Sequence, residues 1–513
     1  MLMPLPPLAR NLLFSAGAFV VNTALMLFFT PYIVAKMGVE AYGIATLAMQ
    51  MIPYANVATA AVNALALRFI AVAFNANQPD AVQRYISTVF WANVAMAVAM
   101  ALPAAWLVWQ LGAVFNVPPH LLPDARRAFA LVFLHIAVAL VGGVFGAATF
   151  CKNKMHLRAL RETEAHVLKL GLVVGLFALL QGRLYFIALA MVAMALYVTA
   201  RHLRYTQRFL PWVTLSPRLF CWRALVRLLR GGAWESFNQL GFLMLNGLDM
   251  LVANLVLGAT AGGVLALANT VPLAAAMFTA SLVAAVTPQI TLAYNVYTKK
   301  QPLCLKHTRL CMRIIGFFTA VPLAFALVYG DVFFALWQAG ADSAELHRLL
   351  RLILLPLCLF GGVHTLRAVY VAANRLRLPA LVTLGVGVAK TGALFVVLFA
   401  FQGTLGVIPL AGMWAAFVLE GVFHPVYGAK CLGLRGYSLF PTLGRNALCA
   451  LVAVGIGGSV RWLLAATEMP YATWPRFFVL AAFCGATSAI AGVFIMFNRE
   501  ERAMGWAMWK TLS

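Results

Sequence analysis

The chain has 513 residues, of which 63% are hydrophobic and 10% are charged, and its mean hydropathy is +0.90. About a quarter of the residues of a soluble protein are charged, so this composition excludes soluble enzymes, secreted disulfide scaffolds and disordered chains. Lys and Arg number 38 against 14 Asp and Glu, for a net charge of +24. In a membrane protein this excess indicates basic cytoplasmic loops rather than nucleic-acid binding.

The sequence predicts an all-α polytopic membrane protein with about fourteen transmembrane helices. Apolar runs bounded by charged residues, Pro and Gly recur along the chain, and about 20 apolar residues span a bilayer. The predicted spans are 12–35, 43–73, 85–108, 128–150, 165–181, 184–200, 231–257, 264–292, 311–337, 349–371, 379–401, 409–430, 446–466 and 476–498. The connection between the fifth and sixth spans is so short that these two must form a tight hairpin.

Basic residues are distributed unevenly between the two sides of these spans. With the N-terminus placed inside, 26 of the 38 Lys and Arg residues fall on the internal side and eight on the external side. This bias predicts that both termini are cytoplasmic and that the number of spans is even. The segment 201–230 carries seven arginines and no acidic residue. We expect it to be an amphipathic cytoplasmic linker that lies on anionic lipid headgroups.

Motifs for a metal or a nucleotide do not occur in the sequence. The eight Cys residues show no CxxC spacing and no pairing with nearby His, and there is no GxxxxGK[ST] phosphate loop. The sequence therefore predicts no metal site, no cofactor and no use of ATP.

An internal repeat relates the two halves of the chain. At an offset of 220 residues, 10–75 aligns with 230–295 without a gap, and 14 of the 66 aligned positions are identical. The identities include two glycine pairs, Gly38 with Gly258 and Gly43 with Gly263. Six helices separate the copies, so the repeats run in the same direction through the membrane.

The repeat predicts two six-helix lobes related by a pseudo-twofold axis along the membrane normal, with two further helices at the C-terminus. The N-terminal lobe with the start of the linker is predicted at 1–210. The rest of the linker and the C-terminal lobe are predicted at 211–430, and the additional helices and a cytoplasmic tail at 431–513. A substrate site is expected between the lobes.

The turn Lys-Met-Gly-Val-Glu-Ala-Tyr-Gly at 36–43 is followed by a helix that ends in a run of small residues before Arg68. The segment 251–269 of the second lobe corresponds to part of this pattern. The pattern resembles that of the polysaccharide flippases, which carry O-antigen and other lipid-linked oligosaccharides, in the multidrug/oligosaccharidyl-lipid/polysaccharide exporter superfamily. Fourteen spans match the peptidoglycan lipid flippase branch, whereas many O-antigen flippases are drawn with twelve.

The resemblance implies a transporter and not an enzyme. Its members move a polyprenyl-diphosphate-linked oligosaccharide from the cytoplasmic to the external leaflet by alternating access, for the synthesis of cell-surface polysaccharide such as lipopolysaccharide. It implies a location in the bacterial cytoplasmic (inner) membrane and coupling to an ion. The partners that it implies are the lipid-linked oligosaccharide, a polysaccharide polymerase and glycosyltransferases.

Two alternatives stay open. A multidrug or toxin exporter of the same superfamily would need an acidic, apolar cavity for cationic drugs, and the excess of cations among the buried charges disfavours it. A membrane-embedded glycosyltransferase or polymerase would place acidic catalytic residues in extended external loops. The longest external connection, 109–127, leaves little room for them.

Ionisable side chains at membrane depth are costly and commonly mark transport sites. Lys390 and Glu420 lie at the middle of consecutive antiparallel spans, so we predict that they meet, either as a static tie or as part of cation or proton coupling. Asp249 lies inside the seventh span and is a candidate carboxylate for a coupling ion. Glu235 lies one turn into the same span, where a helix N-terminus alone favours a carboxylate.

Arg68 and a set of amides are the predicted substrate contacts. Arg68 lies five residues from the end of the second span, and its guanidinium suits a diphosphate, although a side chain so placed can also snorkel to the interface. Amides bind sugar hydroxyls but also link helices to each other. The candidate amides are Asn22, Asn56, Asn63, Asn238 and Asn246.

Overall fold

The computed structural model describes residues 29–502 except 153, 181, 298–300, 339, 374, 401–402 and 467–471. All regular secondary structure in these residues is helical. We number the long helical segments in chain order. They are α1 (Phe29–Asn75), α2 (Pro79–Trp109), α3 (Leu122–Cys151), α4 (Met155–Leu179), α5 (Tyr185–Phe209), α6 (222–257), α7 (Ala259–Ala268), α8 (Thr270–Tyr297), α9 (Gln301–Trp337), α10 (Ser343–Ala372), α11 (Arg377–Ala400), α12 (Val407–Cys431), α13 (Gly436–Ala466) and α14 (Trp474–Met496).

Ten of the described helices are long and apolar enough to cross a membrane, or twelve if each of two bent pairs counts as one span. One bent pair is α6, with an angle of 42°, and the other is α7 with the first part of α8, at 43°. The chain is therefore a multi-pass membrane protein. The helix α4 does not qualify, because five charged residues within 155–169 shorten its apolar part. The first predicted span, 12–35, lies mostly outside the described residues, and the predicted count of fourteen is not confirmed.

The described chain forms two compact units. The first unit extends to Ala266 and also includes Ala380–Leu405, and the second consists of Leu267–Pro379 and the chain from Gly406 onward. Most of α11 therefore belongs to the first unit, although its neighbours in sequence belong to the second. These boundaries differ from those of the predicted lobes, and the two-lobe arrangement stays a prediction.

The arginine-rich segment 201–230 is not one continuous amphipathic helix. Its first part continues α5, a 3-10 turn follows at Pro217–Leu219, and its last part begins α6. The Ser87 hydroxyl of α2 donates to the Thr214 carbonyl at 3.1 Å, which holds the irregular part against that helix. Most of the seven arginines remain exposed.

Two glycines of the repeat bring α1 and α7 together in the first unit. A Cβ atom added at Gly43 would lie 2.6 Å from the Ala259 carbonyl oxygen, and one added at Gly263 would overlap the Val39 carbonyl. The two backbones therefore touch at the position where both copies of the repeat carry glycine, and a larger residue does not fit there.

The other matched pair of glycines marks a turn in both copies. Gly38 has a φ of +83° and Gly258 a φ of +93°. Residues with a Cβ atom rarely adopt this conformation, so glycine is favoured at both positions. The same local turn is thus encoded twice in the chain, 220 residues apart.

In the second unit, α9 is the central helix and packs against α10, α13 and α14. Close approach depends on small residues, since a Cβ atom at Gly316 would overlap the Asn446 side chain. In the first half of α9, Arg313 forms a bidentate ion pair with Glu501, with N to O distances of 2.9 and 2.7 Å. Near the other end, Tyr329 leaves helical geometry and kinks the helix.

We expect Gly263→Ala to destabilise the protein, because the added methyl group meets backbone that cannot rotate away, at a cost of about 1–3 kcal/mol. The matched control is Gly262→Ala, since a Cβ atom at Gly262 meets no other atom within 4 Å. Thermal unfolding of the detergent-solubilised protein measures the difference. Equal unfolding temperatures for the two variants would contradict the close contact of α1 and α7.

Candidate functional site

The helix α6 is interrupted by two π-helical segments, Leu243–Gly247 and Ala253–Leu257. Such segments are rare and occur frequently at functional sites. Side chains from α1 and α11 bind the carbonyls of the first segment: Tyr54 Oη donates to Gly247 O at 2.8 Å, Thr391 Oγ1 donates to Met244 O at 3.1 Å, and Lys390 Nζ donates to Leu245 O. The irregular backbone is thus satisfied by protein groups, as membrane depth requires.

Glycines allow α11 to approach α6 closely enough for these contacts. A Cβ atom at Gly387 would lie 2.6 Å from the Met244 Cβ atom, and one at Gly241 would lie 3.0 Å from the Leu384 backbone nitrogen. The helices therefore pack with almost no space between them. This packing places the residues that follow Gly387 on α11 directly against the first π segment.

An ion pair lies at this contact. Asp249 is the second residue after the first π segment, and its Oδ1 atom is 2.5 Å from Lys390 Nζ. The Lys390 side chain is 2% exposed and the Asp249 side chain 18% exposed. Neither charge is tolerable alone in hydrocarbon, so each stabilises the other. The carboxylate retains an accessible edge, which a second cation or a proton can reach.

The prediction that Lys390 pairs with Glu420 is wrong. It rested on the two spans being consecutive in the chain, whereas α11 packs against α6 through Gly387 and directs the ammonium group to Asp249. Glu420 belongs to the second unit and has a different partner there.

Glu420 lies in a third π-helical segment, Phe417–Phe423 of α12. Its Oε1 atom is 3.5 Å from Nε2 of His364, which lies in a 3-10 segment, Gly361–Thr365, inside α10. A carboxylate beside an imidazole can exchange a proton with it, because both side chains act as acids and bases. The second unit thus contains a candidate proton site of its own.

A tyrosine and a second histidine lie on the same two helices. Tyr370 Oη donates to the His424 carbonyl at 2.9 Å and is 3.2 Å from the His424 Nδ1 atom. His364, His424 and Tyr370 were missed in the sequence analysis, because among ionisable side chains it considered only acids, lysine and arginine. Both histidines fall inside predicted spans, so a search for imidazoles at membrane depth would have found them.

Glu235 is bound by amides of its own helix. Gln239 Nε2 donates to Glu235 Oε1 at 3.1 Å, and Asn238 Nδ2 is 3.5 Å from the same oxygen. The expectation that a helix N-terminus stabilises Glu235 is wrong, because α6 begins several turns earlier, at Trp222.

The remaining predicted substrate residues are in different environments. Asn63 and Asn93 donate to each other at 3.1 Å in both directions, so the Asn63 amide links two helices. Asn56 and Asn246 are exposed, and Asn22 lies outside the described residues. Arg68 is also exposed and makes no hydrogen bond or ion pair within the described part of the chain. Among the described residues of the first unit, no contact gathers these positions into one site.

No family model matches the chain. It is 26% identical over 496 residues to EpsK of Bacillus subtilis (strain 168), described as an uncharacterized membrane protein, with 96% of each chain covered. Among solved structures it is similar to the lipid II flippase MurJ in an inward closed conformation, with a TM-score of 0.70, 13% identity, and 94% of this chain and 98% of that chain covered.

It is also similar to a multidrug resistance MATE family transporter of the MOP superfamily. The inward-facing conformation gives a TM-score of 0.56 at 16% identity, with 82% of this chain and 94% of that chain covered. The outward-facing conformation gives 0.55 at 15% identity, with 83% and 95% covered. These likenesses confirm the predicted fold class, since the chain has the same fold as these transporter structures.

We expect neutralisation of one member of the ion pair, by Lys390→Met or by Asp249→Asn, to destabilise the protein by about 3–5 kcal/mol. The reason is that Lys390→Met leaves Asp249 as an unpaired buried charge, and Asp249→Asn leaves Lys390 as one. The double variant should recover much of this loss, since it buries no charge. Unfolding temperature is the measurement.

The matched control for this series is Lys430→Met, which removes an exposed lysine of α12. We expect it to change stability by no more than about 0.5 kcal/mol. A double variant no more stable than either single variant would refute the pairing of Asp249 with Lys390.

Proposed function

Because the chain has the fold of MOP-superfamily transporters, we propose that it is a flippase that moves a polyprenyl-diphosphate-linked oligosaccharide from the cytoplasmic to the external leaflet. The likeness to the lipid II flippase over 94% of the chain is the observation that carries this proposal. The transport cycle is alternating access, driven by an ion. The location is the bacterial cytoplasmic membrane, with both termini in the cytoplasm, and the pathway is synthesis of cell-surface polysaccharide.

A multidrug exporter is the second candidate, and the comparisons favour it less. The TM-score to the MATE transporter is 0.56 over 82% of the chain, against 0.70 over 94% for the flippase.

Asp249 and Lys390 are proposed as the coupling element. A proton or metal cation that neutralises Asp249 removes the charge that holds Lys390, and the unpaired ammonium must then find another partner. Ion binding would thereby loosen the contact of α11 with the broken part of α6. The two side chains are then either paired or unpaired. Ion binding shifts the balance between these two states only as far as the ion binds one of them more tightly than the other.

Arg68 is proposed to bind the diphosphate of the lipid carrier, because a guanidinium offers paired donors to phosphate oxygens. Its exposure and its lack of a partner in the described chain are consistent with this role. The proposed partners are the lipid-linked oligosaccharide, anionic lipids at the arginines of 201–230, and a polymerase and glycosyltransferases of the same pathway.

We expect Arg68→Ala to abolish flipping of a fluorescent polyprenyl-diphosphate oligosaccharide in proteoliposomes while the protein stays folded. The control is Arg84→Ala, which removes an exposed arginine at the start of α2 and should leave flipping within about twofold of the wild type, a difference of ~0.4 kcal/mol. Normal flipping by Arg68→Ala would remove this residue from the mechanism. Absence of flipping by the wild type would refute the proposed function.

The ion coupling has a separate test. Flipping by the wild type should accelerate under an imposed proton or sodium gradient, and flipping by Asp249→Asn combined with Lys390→Met should not respond to it. The double variant is used because it buries no unpaired charge, so a loss of response does not reflect misfolding. A double variant that still responds to the gradient would exclude Asp249 as the coupling carboxylate.

A further inference from the structure

An open groove of about 630 Å³ lies between α2 and α3 in the first unit. Small side chains create it, since six of its lining residues are alanines: Ala97, Ala101, Ala104, Ala105, Ala130 and Ala137. Larger apolar residues line the remainder, and a single charged residue, Arg126, contributes to the lining. Leu134 and Trp109 of the lining are 49% and 68% exposed, so the groove faces the lipid of the bilayer.

The groove extends along most of the thickness of the membrane. On α3 the lining runs from Arg126 to Leu140, which corresponds to about 21 Å of helix at 1.5 Å per residue. One leaflet contributes about 15 Å of hydrocarbon, half of the ~30 Å core. A groove that begins at the interface near Arg126 therefore continues past the midplane, beyond the reach of a single phospholipid leaflet.

Positive charge collects where the groove meets the interface. Arg126 Nη2 donates to the Trp109 carbonyl at 2.9 Å. Beside it, Arg127 and Arg183 share one carboxylate, Asp124, at 3.6 and 3.3 Å. Three cations thus face one acid on the side that the charge bias assigns to the exterior, where basic residues are otherwise few. An anionic headgroup would complete the charge balance.

We propose that this groove holds the isoprenoid chain of the lipid carrier on the external side, with its diphosphate at Arg126. The inference rests on the proposed function, since it assigns the groove to the translocated form of that substrate. The groove is longer than one leaflet is thick, so it suits a long isoprenoid chain better than the acyl chains of a phospholipid. The alanines leave room for the methyl branches of such a chain, and the cations match two adjacent phosphates.

The test is photolabelling of the full-length protein in nanodiscs with a diazirine-bearing polyprenyl diphosphate, compared with a diazirine-bearing phosphatidylglycerol. We expect the isoprenoid probe to label peptides from 97–109 and 126–140. Ala105→Phe with Ala130→Phe fills the groove and should reduce this labelling about tenfold, which corresponds to ~1.4 kcal/mol. Arg126→Gln should weaken labelling by the diphosphate probe and leave that by the corresponding polyprenol unchanged.

The matched control is Ala99→Phe with Ala139→Phe, which adds the same volume to exposed alanines of α2 and α3 outside the groove. It should leave labelling unchanged. Equal labelling by phosphatidylglycerol would show a site for bulk lipid and overturn the proposal, as would labelling that the groove-filling pair does not reduce. Flipping is measured on the same samples. Labelling without flipping refutes the proposed function alone, and flipping without labelling of the groove refutes this inference alone.

Discussion

Bilayer hydrocarbon provides no hydrogen-bond partners, so every carbonyl that a broken helix releases has to be bound by the protein itself. In α6 the released carbonyls are bound by Lys390 and Thr391 of α11. In α9, where Tyr329 leaves helical geometry, the Leu327 carbonyl lies 2.9 Å from Nε2 of His347 on α10. Both of these interruptions thereby tie their helices to a neighbour through polar side chains. The places where the backbone can rearrange are consequently the places where charges are gathered.

The helices that are recognised by length and apolar composition alone could be predicted from the sequence. The apolar centres of α2, α3, α5 and α9 to α14 all lie within predicted spans. Several of these helices extend further than predicted, since polar turns at the interface stay helical, as in α5 up to Phe209 and α13 from Gly436. The bends of α6 could not be predicted, because a π segment depends on side chains from other helices that bind its carbonyls.

The ion pair could not be derived from chain order or from the repeat. Gly387 allows α11 to pack closely against α6. The sequence shows that a glycine is present at this position, but it does not show which helix that glycine contacts. The repeat gives no help either, because the residue aligned with Asp249 is Phe29. The aligned glycines, by contrast, share a conformation. The turns are thus shared by both copies of the repeat, whereas the acidic residue Asp249 occurs in only one copy.

Asp249 and Glu420 are acids at membrane depth whose partners differ in chemistry, and this limits what each can do. The partner of Asp249 is the ammonium group of Lys390, so Asp249 is released only when a proton or another cation takes the place of that group on the carboxylate. The partner of Glu420 is the imidazole of His364, which can accept or donate a proton, so this pair can exchange a proton without another cation. The two pairs lie in separate compact units. Neutralising Asp249 together with Lys390 therefore removes one site and leaves the other intact, and a response to protons that survives in that variant would be assigned to Glu420.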